Sequence, residues 1–226
     1  MGTSVLMFLQ SKILLNIPGV IHGFGNRSEP VPSQLKKYWE RKAIWNQVHG
    51  VELSEIVEPN QNCGPCDGFY CEMPGLPIAV ASADCVPILL AKRTGDKVGA
   101  LHAGWKGTKA QIVKFFFKKL ASLGENPKDW VAAIGPSIGP CCYEVSEELA
   151  RDFAKDFPEP GLVRGRYVDL PGINEYQLKE AGVALVDVLR ECTGCVYHDK
   201  SPAYYSYRKY EDKLRQYGVV LVIENP

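Results

Sequence analysis

The sequence has little histidine and no long apolar run. Four of its 226 residues are histidines, namely His22, His49, His102 and His198. Apolar stretches such as VPILLA and VVLVI are strand-sized, well short of the roughly 18 residues that a membrane-spanning helix needs. We therefore expect no membrane association, and any site that needs imidazole has few candidates.

The sequence also lacks a charge excess of either sign. Lys and Arg together number 26, as do Asp and Glu, so the formal net charge is zero. A neutral chain has no whole-protein field to hold nucleic acid, although a local basic site is compatible with it. We expect no nucleic-acid partner. The 46% of hydrophobic residues and 23% of charged ones are typical of a globular protein.

The first ten residues, MGTSVLMFLQ, lack the basic region and the cleavage site of a signal peptide. Leu6 stands where a myristoylation motif needs Ser or Thr. We expect a cytoplasmic protein. Its eight cysteines are then free thiols, metal ligands or the disulfides of a hyperthermophile, and the sequence leaves these alternatives open for the following five: Cys63, Cys66, Cys71, Cys192 and Cys195.

Short apolar runs alternate with helix patterns along the chain. The runs LPIAVASAD, VPILLAK and KVGALHAG predict three strands of one sheet, and further strands are predicted at GVIHGF, VELSEIVE, WVAAIGPSIGP and YGVVLVIE. Helices are predicted over 33–47, over 108–123 with Thr108 as cap and Gly124 as stop, and in SEELARDFAKDF and INEYQLKEAGVALVDVLREC. This alternation indicates one α/β domain spanning 1–226, a mixed sheet with surrounding helices, with α+β as the alternative.

Three potential metal ligands lie at the ends of predicted elements. His49 stands in WNQVHG, Cys85 in ASADCVPILL and His102 in GALHAGW. Two imidazoles and one thiolate make the three-ligand set of a catalytic zinc site, which keeps its fourth position open. Spacing alone favours the alternative of a buried thiol and two hydrogen-bonded histidines.

The strings SADCVPILL, LHAGWKGT, IGPSIGPCCYEV and YYSYRK occur here in one order. From about His22 to the C-terminus, the chain resembles the laccase-domain family of multicopper polyphenol oxidase-like or YfiH-like proteins. This family includes bacterial purine nucleoside phosphorylases. The resemblance implies a single α/β domain with its own topology. It also implies that the metal ligands are His49, Cys85 and His102, the three residues already selected on chemical grounds.

The resemblance further implies a zinc enzyme, with copper as the alternative metal, that acts on a purine nucleoside and phosphate. The implied activities are purine nucleoside phosphorolysis and deamination of adenosine, with inosine, guanosine and methylthioadenosine as further substrates. Some family members instead keep wrong amino acids out of cell-wall precursors. A zinc-activated water would suit attack at purine C6.

Five further residues are candidates for the site. Asp84 would accept a proton or orient a ligand. Arg27 aligns with a family arginine and would hold phosphate, while Gly107 begins a predicted helix whose backbone N–H groups suit an anion. Arg208 in SYRK matches a family arginine that binds ligand or packs the last strand. Cys142 in CCYEV lines the pocket or only packs.

The sequence departs from the family pattern at two places that concern substrate contacts. A glycine-rich loop usually follows the arginine that aligns with Arg27, whereas here the chain reads SEPVPS. The late GRQ-like string appears as Leu214-Arg215-Gln216. Neither change affects the three predicted metal ligands.

Four other interpretations remain as alternatives. A copper-dependent polyphenol oxidase would need a three-copper cluster built largely from imidazoles, which four histidines do not supply. Cys63-Gly-Pro-Cys66 resembles a thioredoxin motif, but the polar EPNQN before it predicts a loop. A structural zinc joining this pair to Cys192 and Cys195 is a further hypothesis. The non-enzymatic alternative is a binding protein for a nucleoside or a cell-wall intermediate.

Overall fold

The computed structural model of the chain describes residues 8–196 and 201–224. Its strands are β1 (Val20–Phe24), β2 (Ile44–Asn46), β3 (Leu53–Glu55), β4 (Asn62–Pro65), β5 (Gly68–Cys71), β6 (Ile78–Ser82), β7 (Val86–Lys92), β8 (Val98–Ala103), β9 (Trp130–Ile134), β10 (Val163–Arg164), β11 (Tyr167–Val168), β12 (Leu185–Val188) and β13 (Gln216–Val222). Its α-helices are α1 (Lys12–Leu15), α2 (Trp105–Lys109), α3 (Ile112–Ser122), α4 (Glu147–Asp156), α5 (Leu170–Glu180) and α6 (Tyr207–Tyr210). Two 3₁₀ helices cover Ser33–Arg41 and Pro127–Asp129.

A six-stranded mixed sheet forms the centre of the fold, in the order β12-β9-β7-β8-β5-β3. Its inner strands pair antiparallel, whereas β12 with β9 and β3 with β5 pair parallel. A second sheet has the order β1-β13-β6 and is antiparallel throughout. The α/β prediction with a mixed sheet is thus confirmed.

Side chains of β7 alternate between two apolar layers, as the two-residue period of a strand requires. Ile88 and Leu90 pack with the helices on one face of the six-stranded sheet. Leu89 and Ala91 pack on the other face, towards the three-stranded sheet. Because both faces are covered, the strand is apolar at nearly every position rather than at every second one.

The last strand, β13, sits between two further apolar layers. Val220 and Val222 belong to the layer between the sheets, while Val219 and Leu221 pack against Leu35 of the 3₁₀ helix 33–41. The predicted strand YGVVLVIE is confirmed, as are those at GVIHGF, VELSEIVE, LPIAVASAD, VPILLAK, KVGALHAG and WVAAIGPSIGP. No helix of the described residues is long and apolar enough to cross a membrane.

Three predicted helices differ from the structure. The helix predicted over 33–47 is a 3₁₀ helix ending at Arg41, followed by β2. The helix predicted from Thr108 begins at Trp105 and breaks at Gln111, whose φ is 60°. The segment INEYQLKEAGVALVDVLREC is helical only as far as Glu180, because Gly182 turns the chain with φ 93° into β12.

Candidate metal centre and cavity

The three predicted ligands come together at one end of the central sheet. His49 lies in the turn after β2, Cys85 lies immediately before β7, and His102 lies near the end of β8. One ligand atom from each lies within 4.8 Å of the others. Three donors at this spacing can bind a single ion and leave a further coordination position for substrate or water.

Asp67, at the entry to β5, connects two of these ligands. Its Oδ1 lies 2.7 Å from Nδ1 of His102, so the other ring nitrogen, Nε2, is the one available to a metal. Its two oxygens also accept hydrogen bonds from the backbone N–H groups of Val48, His49 and Gly50. Burial alone would raise the pKa of Asp67, but the hydrogen bonds from His102 and the backbone lower it, so the group is ionised.

The ligands themselves are electrostatically coupled. Burial would raise the pKa of the Cys85 thiol, but the neighbouring His102 and His49 outweigh it and lower the pKa to about 6. Burial would likewise lower the pKa of His102, but the Cys85 thiolate and Asp67 raise it to about 9. The Cys85 sulfur is therefore held as a thiolate, the form that binds metal.

Gly104 makes room for this centre. A Cβ atom at this position would lie 2.7 Å from Cδ2 of His49 and 3.0 Å from Sγ of Cys85, both too close for a side chain. Glycine therefore allows the backbone to approach the ligands closely. Together with the donor set and the carboxylate behind His102, this space fits a zinc ion bound by His49, Cys85 and His102.

The three ligands line a cavity of about 880 Å³, a volume sufficient for a nucleoside-sized molecule. Aromatic side chains form part of its wall: Trp45, Trp105, Tyr143, Tyr207 and Tyr217. Such rings suit the stacking of a flat heterocycle.

Four cationic side chains also line the cavity: Lys42, Lys106, Arg208 and Arg215. None of the four forms an ion pair with a carboxylate of residues 8–196 or 201–224. Although the whole chain is neutral, these four cations outnumber Asp84, the one carboxylate among the described residues of the lining, and the lining therefore carries an excess of positive charge. It favours an anionic ligand.

Asp84 lies in the cavity wall next to Cys85, in a backbone conformation with φ 99° that L residues rarely adopt. Its Oδ1 accepts a hydrogen bond of 2.6 Å from the Thr193 hydroxyl, and its Oδ2 accepts one of 2.7 Å from the Arg208 backbone N–H. Its carbonyl oxygen accepts from the Ile138 N–H at 2.9 Å. These contacts hold the turn that presents Cys85.

Residues 26–223 match the model of the protein family described as multi-copper polyphenol oxidoreductase laccase. The chain belongs to this laccase family. The expected resemblance is thus confirmed over most of the sequence.

Relatives and a solved structure agree with the assignment. A purine nucleoside phosphorylase of Rickettsia conorii is 36% identical over 181 residues, covering 77% of this chain and 70% of the relative. One from Deinococcus radiodurans is 38% identical over 167 residues, covering 73% of this chain and 63% of the relative, so the match spans less than two thirds of that protein. The crystal structure of YlmD from Geobacillus stearothermophilus has a TM-score of 0.80 at 23% identity, covering 96% and 99% of the two chains, and shows the same fold.

Within this laccase-family fold, the two arginines predicted to contact ligand lie in different places. Arg208 lines the cavity, donates a hydrogen bond of 2.6 Å to the Glu144 carbonyl and lies over the Tyr143 ring. Arg27 is not among the lining residues. Its guanidinium forms an ion pair with Asp212 and lies 4.6 Å from the centre of the Tyr205 ring. Its role in holding phosphate stays a prediction.

Gly107 and Cys142 also lie outside the cavity lining. Gly107 is the third residue of α2, in its first turn, and a Cβ there would lie 3.1 Å from the Gly50 carbonyl oxygen, so its small size lets α2 pack against the turn at His49. The helix thus begins two residues before Gly107, and an anion-binding role for its N–H stays a prediction. Cys142 belongs to a separate group of cysteines, although the next residue, Tyr143, does line the cavity.

The Cys63–Cys66 motif does not form a thioredoxin-like site. It lies largely in the short strand β4 rather than in the predicted loop, and no helix follows it. Burial, and then the neighbouring Cys63, raise the pKa of Cys66 to about 12, the opposite of a reactive thiolate. Cys63 and Cys66 are also absent from the cysteine group that contains Cys192 and Cys195, so the hypothesis of a zinc joining these two pairs is wrong.

Sequence reasoning gave no role to Asp67, Lys42 or Lys106, and it noted Arg215 only as part of the altered GRQ-like string. A weak signal existed for two of them. Lys106 directly follows HAGW, and Asp67 is an acidic residue directly before the apolar strand GFYC. Lys42 and Arg215 lie far apart in sequence, and only the fold brings them to one wall.

Proposed function

We propose that this protein is a zinc-dependent purine nucleoside phosphorylase that also deaminates adenosine. The supporting observation is that one cavity combines the ligands His49, Cys85 and His102 with four cations that form no ion pair with a described carboxylate. The names of the relatives from Rickettsia conorii and Deinococcus radiodurans support the phosphorolysis of purine nucleosides.

The cationic side chains of the cavity are assigned to phosphate. Lys106 and Arg215 carry charges that phosphate would pair with, and Arg208 offers further guanidinium N–H donors. In phosphorolysis a phosphate oxygen forms a bond to C1′ of the ribose, and the bond from C1′ to N9 breaks. The purine leaves with the electron pair and takes up a proton, and ribose 1-phosphate is released.

The aromatic part of the wall is assigned to the purine. Trp105 and Tyr207 are 38% and 63% exposed, so their faces are open to a ligand. Deamination of adenosine adds water at C6 and releases ammonia, which leaves inosine. The same cavity therefore serves both reactions with phosphate or water as the nucleophile.

A zinc ion bound by the three ligands supplies Lewis-acid activation of water or of a substrate group. Asp67 fixes the ring of His102 through Nδ1, so that Nε2 points to the metal position. Asp84 has a positioning role. Its two carboxylate oxygens already accept hydrogen bonds from Thr193 and Arg208, which holds both residues around the turn that carries Cys85. Burial raises the pKa of Tyr143 to about 12, so its hydroxyl keeps its proton at neutral pH.

The test is turnover of inosine and adenosine by highly purified protein with and without phosphate. We expect ribose 1-phosphate from both nucleosides when phosphate is present, and inosine from adenosine in its absence. His102→Ala should abolish both reactions together with zinc at this centre. If zinc-loaded wild-type protein releases none of these products, the proposal is wrong, and assays with cell-wall precursors and with polyphenols would address the remaining family activities.

A further inference from the structure

Four cysteines meet at a second place, outside the cavity lining. Cys141 and Cys142 lie in the loop after β9, and Cys192 and Cys195 lie in the loop after β12. All four sulfur atoms lie within 4.8 Å of one another. Cys195 Sγ is 3.5 Å from Cys141 Sγ and 3.6 Å from Cys142 Sγ.

The spacing of the sulfur atoms fits a mononuclear centre. Tetrahedral zinc with Zn–S bonds of about 2.3 Å places its sulfur ligands about 3.8 Å apart. An iron–sulfur cluster sets its thiolates farther apart, because several iron and sulfide atoms stand between them. A disulfide would bring two sulfur atoms to about 2.0 Å, whereas the four thiols are free and Cys195 Sγ is almost equally near to two partners.

The backbone around the sulfur atoms is shaped to hold them. The Gly139 N–H donates a hydrogen bond of 3.3 Å to Cys192 Sγ. A Cβ at Gly194 would lie 3.0 Å from Cβ and 3.2 Å from Sγ of Cys142, so the loop reaches the cysteine pair only because this residue is glycine. Two backbone hydrogen bonds join the loops, from Ser137 N–H to the Glu191 carbonyl and from Thr193 N–H to the Ser137 carbonyl, each 3.1 Å long.

We propose that Cys141, Cys142, Cys192 and Cys195 bind a second metal ion, a structural zinc closed by four thiolates. Four protein ligands leave no position for substrate, which separates this site from the three-ligand centre in the cavity. Each thiol gives up its proton when the ion binds, so affinity rises with pH.

The position of this cluster suggests what the ion would stabilise. Thr193, between the two cysteines of the second loop, donates the hydrogen bond to Asp84, and Tyr143 follows Cys142 directly. Both residues contribute to the region around the turn that carries Cys85. A zinc ion here would therefore fix one wall of the cavity without entering its chemistry.

Metal analysis of the full chain, purified under reducing conditions and loaded with zinc, tests the proposal. Wild-type protein should bind about two zinc ions per chain, one at each centre. The pair Cys192→Ala and Cys195→Ala should bind about one, as should His102→Ala. The matched control is the pair Cys63→Ala and Cys66→Ala, another C-x-x-C with one buried member, which should keep both ions.

Cobalt absorption of the His102→Ala protein gives a second readout that leaves all four cysteines in place. Cobalt bound by four thiolates should show intense charge-transfer absorption, stronger than that of a centre with one thiolate, because the intensity grows with the number of Co–S bonds. This test is independent of nucleoside turnover, so loss of the proposed enzymatic function would not affect it.

Three results would overturn the second site: unchanged zinc content in the Cys192/Cys195 double variant, absence of thiolate–cobalt absorption in His102→Ala, or a non-reduced mass lower by two hydrogens with Cys195 linked to Cys141 or Cys142.

Discussion

Among single residues, Asp67 fixes two parts of the metal centre at once. It hydrogen-bonds Nδ1 of His102 and also the backbone of the turn that carries His49. Although Asp67 is not itself a ligand, it orients the His102 ring and positions the backbone of His49. The sequence alone could propose the ligands from their chemistry, but it could not show which of 26 acidic residues stands behind them.

We predict that Asp67→Ala lowers zinc affinity at the cavity centre by about 10- to 100-fold, the usual effect of removing a carboxylate behind a ligand histidine. Competition titration with a chelator measures this. Asp96→Ala, at an exposed turn, is the control and should leave the affinity unchanged. Equal affinity in all three proteins would show that the His102 ring is oriented by packing alone.

The cationic side chains of the cavity lead to a prediction about phosphate binding. Lys106→Met keeps the alkyl stem but removes the charge, so phosphorolysis at low phosphate should fall roughly tenfold to a hundredfold, about 1.5–3 kcal/mol for a charge-assisted contact. Deamination should change much less, because it uses water. Steady-state kinetics for both reactions provide the measurement.

Lys109→Met is the matched control, since Lys109 lies in the same helix but pairs with Asp156 at 2.8 Å. Removal of its charge should leave both reactions intact.

Arg27→Ala is the second comparison. We expect lower stability with little change in phosphate dependence, because Arg27 forms an ion pair with Asp212. A loss confined to phosphorolysis in Arg27→Ala, with Lys106→Met unaffected, would place the anion site at Arg27 instead.

At the scale of elements, the predicted strands were confirmed where an apolar run is buried, and most errors concern where a helix begins or ends. Gly182, with φ 93°, is a visible stop signal inside INEYQLKEAGVAL that separates α5 from β12. The break at Gln111 carries no such signal, because its φ of 60° is in the left-handed region, which glutamine rarely adopts. The convergence of the four cysteines Cys141, Cys142, Cys192 and Cys195 also depends on the fold, which brings together two loops about 50 residues apart in the sequence.

The short segment from His102 to α2 provides a test of whether the metal centre needs the space that glycine leaves at position 104. Gly104→Ala should reduce zinc binding strongly while the protein still folds, because its φ of −67° suits alanine and only the new Cβ collides with His49 and Cys85. Gly50→Ala is the control: its Cβ would meet only ordinary contacts at 3.6 Å. Zinc content and circular dichroism of both proteins are the measurements. Full zinc content in Gly104→Ala would mean that the ligands shift freely and that glycine is not needed there.

On the scale of the whole molecule, stacked layers explain why the fold class was predictable and the site only partly so. Because β7 and β13 are covered on both faces, each is a short, nearly continuous apolar run, and such runs are visible in the sequence. The cavity is different, since its wall collects residues from 42 to 217 and depends on how the layers meet. The single domain over 1–226 stays a prediction.

A buried histidine ties the first strand to the rest of the molecule and should make global stability depend on pH. His22 is fully buried in β1, and its Nε2 accepts a hydrogen bond of 2.9 Å from the Ser11 N–H, so the neutral ring is the form that fits. Burial lowers its pKa to about 4, although the nearby Asp187 carboxylate opposes the shift.

Between pH 6.5 and about 4 the unfolded chain protonates this histidine and the folded chain does not, so the unfolded state binds more protons there. The free energy of unfolding should therefore fall as the pH falls through this window, by roughly 3 kcal/mol in total, and the contribution should be complete above pH 6.5. His22→Gln keeps an acceptor for Ser11 but does not titrate. Urea unfolding of both proteins at pH 7.5 and 4.5, with a chelator present so that metal release does not contribute, should show wild-type protein losing more stability than the variant. Equal losses in the two proteins would mean that His22 is protonated in the folded state and that burial at β1 does not exclude the charge.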